Sequence, residues 1–239
     1  MTVVIFELMA GEQMGPLVRS IIFASARAML LVATADAVMA KTTKIQPKAD
    51  TMDTNQIKAD LEGEWRSIAP EVRPSASKNA DGSLKPFYLT RVFKYLSSDR
   101  FELEIVNFAD PFGTVPLARI KIGGHMQWRG AHAIAPGAQK VDFIADEAYS
   151  VEPMAQGFAD VLNKVATSGY GAWTVGVQQS IFGKSFIPFG LKEGENFREY
   201  DLVFLNGDFL FWGARNIDGR GFDTEQNRPT NLQIPLMRK

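Results

Sequence analysis

Between Phe87 and Leu236 the chain repeats one device: a short run of β-branched and aromatic residues, a turn, then another such run. Phe87–Tyr95 is the first of these runs. Phe101-Glu102-Leu103-Glu104-Ile105 alternates strictly, the mark of a strand with one face in water. The intervening Ser97-Ser98-Asp99-Arg100 suits a hairpin turn. Leu117–Ile122, Val141–Tyr149, Thr174–Ile181, Phe197–Leu205, Phe209–Trp212 and Leu232–Leu236 continue the series. Asn206-Gly207, between two of these runs, is the strongest short hairpin signal available. A first strand is expected near Gly63-Glu64-Trp65, after a short helix over Thr54–Leu61.

Hairpin-linked strands in this number, about 8–10, predict a mainly β fold, an antiparallel barrel of lipocalin or calycin type. Closure removes the edges that so β-rich a chain otherwise exposes. One stretch breaks the pattern. Met154, Phe158, Val161, Leu162 and Val165 recur at spacings of three and four. Pro153 stands before them and Gly169 after, which predicts one inserted amphipathic helix over Pro153–Ser168. Its expected task is to plug or cover an open end of the barrel; the alternative is a helix that binds a partner.

Composition then excludes several functions. The 26 basic and 27 acidic residues nearly cancel, so nucleic acid, which wants a basic face, is not an expected partner. No cysteine is present, which removes disulfides, thiol catalysis and Cys₄ zinc sites. Only His125 and His132 are available as imidazole ligands, and their spacing does not favour a shared metal. No cofactor motif is found. The chain has no Gly-x-Ser-x-Gly elbow, and no catalytic set stands out. Asp142, Asp146 and Glu147 read as a solvated strand exterior.

Residues 1–40 differ from the rest. Arg19 and Arg27 precede the apolar stretch Ala28–Ala35, and Val38-Met39-Ala40 places small or compact residues at a cleavage position. This predicts a signal peptide and an exported protein, periplasmic or secreted; the alternative is an uncleaved N-terminal segment serving as a membrane tether. A spanning helix needs roughly 20 apolar residues, more than this stretch offers. Residues 41–55 read as a linker and 56–239 as one barrel domain.

Leu61-x-Gly63-x-Trp65-x-Ser67, Glu71-Val72-Arg73-Pro74 and Phe87-Tyr88-Leu89-Thr90-Arg91 resemble the opening of the adenomatosis polyposis coli down-regulated 1 domain family. Gly171-x-Trp173-x-Val175-Gly176-Val177-Gln178-Gln179 is similar to that family's mid-domain strand. Tyr200, the Asn206–Trp212 hairpin, Arg228-Pro229 and Gln233-Ile234-Pro235-Leu236 are similar to its ending. The resemblance implies a barrel with an apolar cavity suited to an acyl chain. In animal members, which have two modules and a membrane anchor, it implies Wnt-lipid binding and inhibition of Wnt signalling. This chain has one module, no expected C-terminal anchor, and Pro70 and Ser185 where animal members carry cysteines. The barrel and its cavity are what carry over.

All aromatic residues but Phe6 and Phe23 lie beyond residue 40, and bulky rings lining a wide barrel predict an interior with space for a ligand. The expected ligand-binding residues are Trp65, Arg91, Phe101, Leu103, Ile105, Phe143, Trp173, Val175, Val177, Gln179, Phe209 and Phe211. Several have a plainer reading. Trp65 can plug the barrel floor, Gln179 can bond neighbouring backbone, and the apolar residues can simply pack. Arg73 and Arg91 either meet a ligand carboxylate or phosphate at the barrel mouth or form a buried pair with an acid such as Glu71. The expected function is non-enzymatic binding of a lipid, fatty-acyl chain or similar hydrophobic small molecule. The alternatives are a small barrel enzyme acting on an apolar substrate, and a surface module that binds a protein partner.

Overall fold

A computed structural model describes residues 53–165, 169–186, 189 and 191–239. The expected export segment and the linker as far as Met52 lie outside these. Helix α1 (Thr54–Leu61) opens the described chain, its first turn capped by the Asp53 carboxylate on the Asn55 N–H at 3.1 Å. Strands β1 (Gly63–Ser67), β2 (Glu71–Lys78), β3 (Leu84–Leu96), β4 (Arg100–Phe108), β5 (Pro116–Ala131) and β6 (Gln139–Pro153) follow. Helix α2 (Gln156–Val165) follows β6, and the remaining strands are β7 (Gln179–Ser180), β8 (Phe197–Asn206), β9 (Phe209–Trp212) and β10 (Leu236–Arg238).

All pairings among these ten strands are antiparallel. They close into a ring: β1 pairs β3, the chain of neighbours runs β3-β4-β5-β6-β8-β9-β10, and β10 pairs β1 again. Long β3 makes closure possible. Its second half (Val92–Tyr95) takes β1 while its first half (Leu84–Leu89) takes β2. The β3–β4 turn holds Ser98 and Asp99 at φ 62° and 57°, and two consecutive left-handed residues match the strands' own twist.

The fold is thus mainly antiparallel β with a ring-like sheet and an inserted amphipathic helix. That helix is shorter at its start than the spacing predicts, because Pro153 is still the last residue of β6. Phe158, Ala159 and Leu162 join the same core as the ring's inner residues. The predicted strand at Thr174–Ile181 is a correction. Only Gln179 and Ser180 are extended, because Gly176 turns the chain at φ 76° and its N–H donates to the Pro153 carbonyl at 2.8 Å. The last strand also sits later than expected, with Leu232 reduced to a single bridge to Gly213. No helix among the described residues is long and apolar enough to cross a membrane.

Candidate functional site

Strand alternation aims Phe87, Leu89, Arg91, Phe93 and Tyr95 of β3 to the buried side, with Phe101, Leu103 and Ile105 of β4 beside them. Most of the ring's middle is filled by aromatic rings. Trp212 lies with its ring centre 4.3 Å from Phe93 and 4.2 Å from Phe143; Phe101 meets Phe143 edge-on at 5.3 Å. The Trp212 indole N–H donates to the Tyr95 hydroxyl at 3.1 Å. The expected hollow interior is therefore largely occupied by the chain's own side chains. Rings offset and tilted at these distances fill space efficiently.

Two cavities remain in that middle. One, of about 10 Å³, lies among Phe93, Phe101, Phe143, Ala145, Phe197 and Trp212. The other, of about 30 Å³, is walled by Phe87, Leu89, Ile105 and Trp212 and by five ionisable residues, Arg73, Arg91, Glu199, Asp201 and Arg215. The cavities share Phe93, Leu103, Ile122, Glu199 and Trp212. About 10–15 Å³ admits one water, so the larger cavity admits a small polar group but no chain of carbons.

The ionisable residues are organised around Glu71. Its carboxylate accepts from Arg91 Nε (2.8 Å), Arg73 Nε and Nη2 (3.2 and 2.9 Å), Ser67 Oγ (3.0 Å) and Gln233 Nε2 (3.1 Å). Burial raises its pKa, but Arg91 and Arg73 outweigh that and hold it at about 2. The Arg91 guanidinium also lies 4.9 Å from the Trp212 ring centre, a cation over an aromatic face. Asp201 faces the opposite balance. Burial first, then the Glu199 charge, push its carboxyl up to about 8, against the Leu202 N–H, Arg91 and Arg73. Its Oδ1 accepts from the Leu202 and Gly213 N–H groups at 2.7 and 2.9 Å. Arg215 donates from Nε to the Gly219 carbonyl at 2.8 Å; burial, then neighbouring Arg73, lower its pKa to about 10.

The Asp201 shift has a consequence for stability. Its proton is favoured in the folded state, so the stability it contributes is full below pH 3.8 and is lost as pH rises through about 8. Asp201→Asn keeps an acceptor for both N–H groups and removes the titration. Urea unfolding at pH 5 and pH 9 is expected to show a decline in the wild type that the variant lacks. Equal declines in both proteins would contradict the assignment.

Of the residues expected from sequence to line a ligand site, Arg91, Phe101, Leu103, Ile105 and Phe143 come together around the two cavities. The others do not. Trp65 is fully buried, donates from Nε1 to the Leu61 carbonyl at 2.8 Å and carries the Arg238 guanidinium 4.2 Å from its ring centre. It ties α1 to β1 and β10 and borders neither cavity. Trp173 is buried in a separate aromatic group with Tyr170 and Phe186, its backbone clasped by the Asn163 side chain. Val175 and Val177, 40% and 50% exposed, face water on the turn that replaces the expected strand. Gln179 bonds the Gly171 and Ala172 backbone. Phe209 is 41% exposed, and Phe211 pairs with Phe204 at 5.8 Å. The phase of β9 is the reverse of that expected, with Leu210 and Trp212 inward.

Glu199, Asp201, Trp212 and Arg215 border the larger cavity without having been singled out in the sequence. A signal for two of them existed: Glu199 and Asp201 alternate with Phe197, Val203 and Leu205, placing charges on an otherwise apolar face. Asp142 also departs from expectation. It is fully buried, not solvated, and accepts from Arg129, Arg198 and Arg228 at 2.7, 3.2 and 2.6 Å. Arg228 further donates to the Val141 and Asp201 carbonyls at 3.1 and 2.6 Å, pinning its loop to the sheet.

No protein-family model matches the chain.

Proposed function

We propose that this protein is a non-enzymatic binding protein that takes a small, largely apolar molecule into the barrel-like ring, between the aromatic cluster and the Arg91 end. The observation that carries this reading is the pair of cavities sharing Phe93, Leu103, Ile122 and Trp212 as walls. Neither cavity alone holds a carbon chain, so binding one requires Phe93 or Trp212 to move aside and join them. A full acyl chain, the ligand expected from sequence, requires Phe93, Phe143 and Trp212 to part together, so a short carbon body is the better fit. Ligand sites combine apolar walls with a few placed polar groups, as this interior does.

The test is calorimetric titration of the full chain with two six-carbon probes, 1-hexanol and hexanoate. At least one is expected to bind with one-to-one stoichiometry. Leu103→Trp, which puts an indole where the cavities meet, is expected to abolish that binding while the protein still melts cooperatively. Failure of both probes on the wild type, or binding unchanged by Leu103→Trp, would overturn the reading.

One observation favours a second reading, an enzyme acting on an apolar substrate. Glu199 and Asp201 border the same cavity, burial favours the uncharged form of Asp201, and two carboxyls in unlike environments are an arrangement for proton transfer. Against it, Asp201 Oδ1 is engaged by two backbone N–H groups, and no hydroxyl or imidazole nucleophile is found among the described residues lining the cavity.

A further inference from the structure

We infer that the molecule bound in this interior is an organic monocarboxylate, its anionic head held by Arg91 and Arg215 and its carbon body laid against Trp212 and Phe93. The inference rests on the binding function proposed above and names the chemical class of its ligand.

Two donors carry it. Arg91 is 4% exposed and borders the larger cavity, yet its Nη2 has no hydrogen-bond partner among the described residues. Arg215 borders the same cavity, and its Nη2 is likewise buried and without a partner there. Buried donors in folded proteins are almost always satisfied, so two unpartnered guanidinium nitrogens, one from each arginine, mark a place for an acceptor at this cavity.

Neither Glu71 nor Asp201 is placed to supply it, and Glu199, which borders the same cavity, hydrogen-bonds to neither Nη2. Glu71 already accepts from Ser67, Arg73, Arg91 and Gln233. Asp201 spends Oδ1 on two backbone N–H groups, and burial favours its uncharged form. Three guanidinium cations, Arg73, Arg91 and Arg215, then stand against two carboxylates, Glu71 and Glu199. One positive charge is in excess, which a single negative charge balances and a dianion would overshoot. A carboxylate is planar and matches the guanidinium fork. The cavity of about 30 Å³ has room for that head, and Trp212 and Phe93 provide the apolar wall behind it.

The experiment compares hexanoate with 1-hexanol, which share a carbon body and differ in charge, with inorganic phosphate as a third probe. Hexanoate is expected to bind the wild-type full chain about tenfold or more tightly than hexanol, the margin of a charge-assisted hydrogen bond, and phosphate not measurably. Arg215→Gln is expected to bring the acid-to-alcohol ratio to within about twofold of unity. Arg91→Lys keeps the charge but loses the fork, and is expected to lower the ratio severalfold; it decides the matter if Arg215→Gln fails to fold. Equal binding of acid and alcohol, a ratio unmoved by both variants, or binding of phosphate in place of hexanoate would overturn the carboxylate assignment. If neither six-carbon probe binds, the binding function itself falls, which separates the two failures.

Discussion

Glu71→Gln is expected to destabilise the fold by about 3 kcal/mol or more, the cost of breaking a buried ion pair from one side. The carboxylate is the shared acceptor for Arg73 and Arg91, and the glutamine amide turns a donor toward at least one of them. The pH dependence identifies the cause. The folded pKa, about 2, lies below the ordinary value of 4.5. The contribution is therefore fully present above pH 4.5 and is lost as pH falls through about 2. Lowering the Glu71 pKa from 4.5 to about 2 corresponds to about 3 kcal/mol, the size of the ion-pair cost. Urea unfolding of wild type and variant is expected to differ by that amount at pH 7 and by clearly less at pH 3. A gap under 1 kcal/mol that ignores pH would show that Glu71 does not hold the arginine pair in place.

Gly213→Ala is the second large effect. Gly213 follows Trp212 directly, and its N–H donates to Asp201 Oδ1 at 2.9 Å. A Cβ there would lie 2.2 Å from Pro229 Cγ and 2.4 Å from Asp201 Oδ1. Neither neighbour is the loose end of a flexible chain: Pro229 is a ring beside the pinned Arg228, and Asp201 is held by two N–H groups. The expected cost is about 3 kcal/mol, at the upper end of overpacking. Because part of the strain falls on Asp201, which walls the larger cavity, binding of the six-carbon probes is expected to weaken as well. Gly221→Ala is the control, since its Cβ meets only Arg215 Nη2 at 4.0 Å, and a change within about 0.5 kcal/mol is expected. Equal melting temperatures for Gly213→Ala and wild type would show that this contact is not tight.

Alternation and turn chemistry are local, and they were legible. The runs around Phe87–Tyr95 and Phe101–Ile105 and the Asn206-Gly207 hairpin mark strands that the fold contains. Arg91 also stood out, because a charge on the apolar phase of a strand needs a partner, and Glu71 is that partner. At Val175 and Val177 the same reasoning went astray: Gly176 permits either an extended chain or a turn, and a hydrogen bond to Pro153, far along the chain, selects the turn. At Phe209–Trp212 both faces are apolar, so alternation identified two sets of residues without indicating which set faces inward.

The amino-acid order by itself thus determined most of the strands, which side chains share a face along them, and that Arg91 needs a partner. Ring closure decided the rest. Whether a face looks inward, how far the rings of Phe93, Phe143 and Trp212 fill the middle, and whether Arg91, Asp201 and Arg215 border one cavity all depend on strands far apart in the chain meeting across it. A period of two along a strand is set by neighbouring bonds. The meeting of distant strands is set by packing, which no local pattern records.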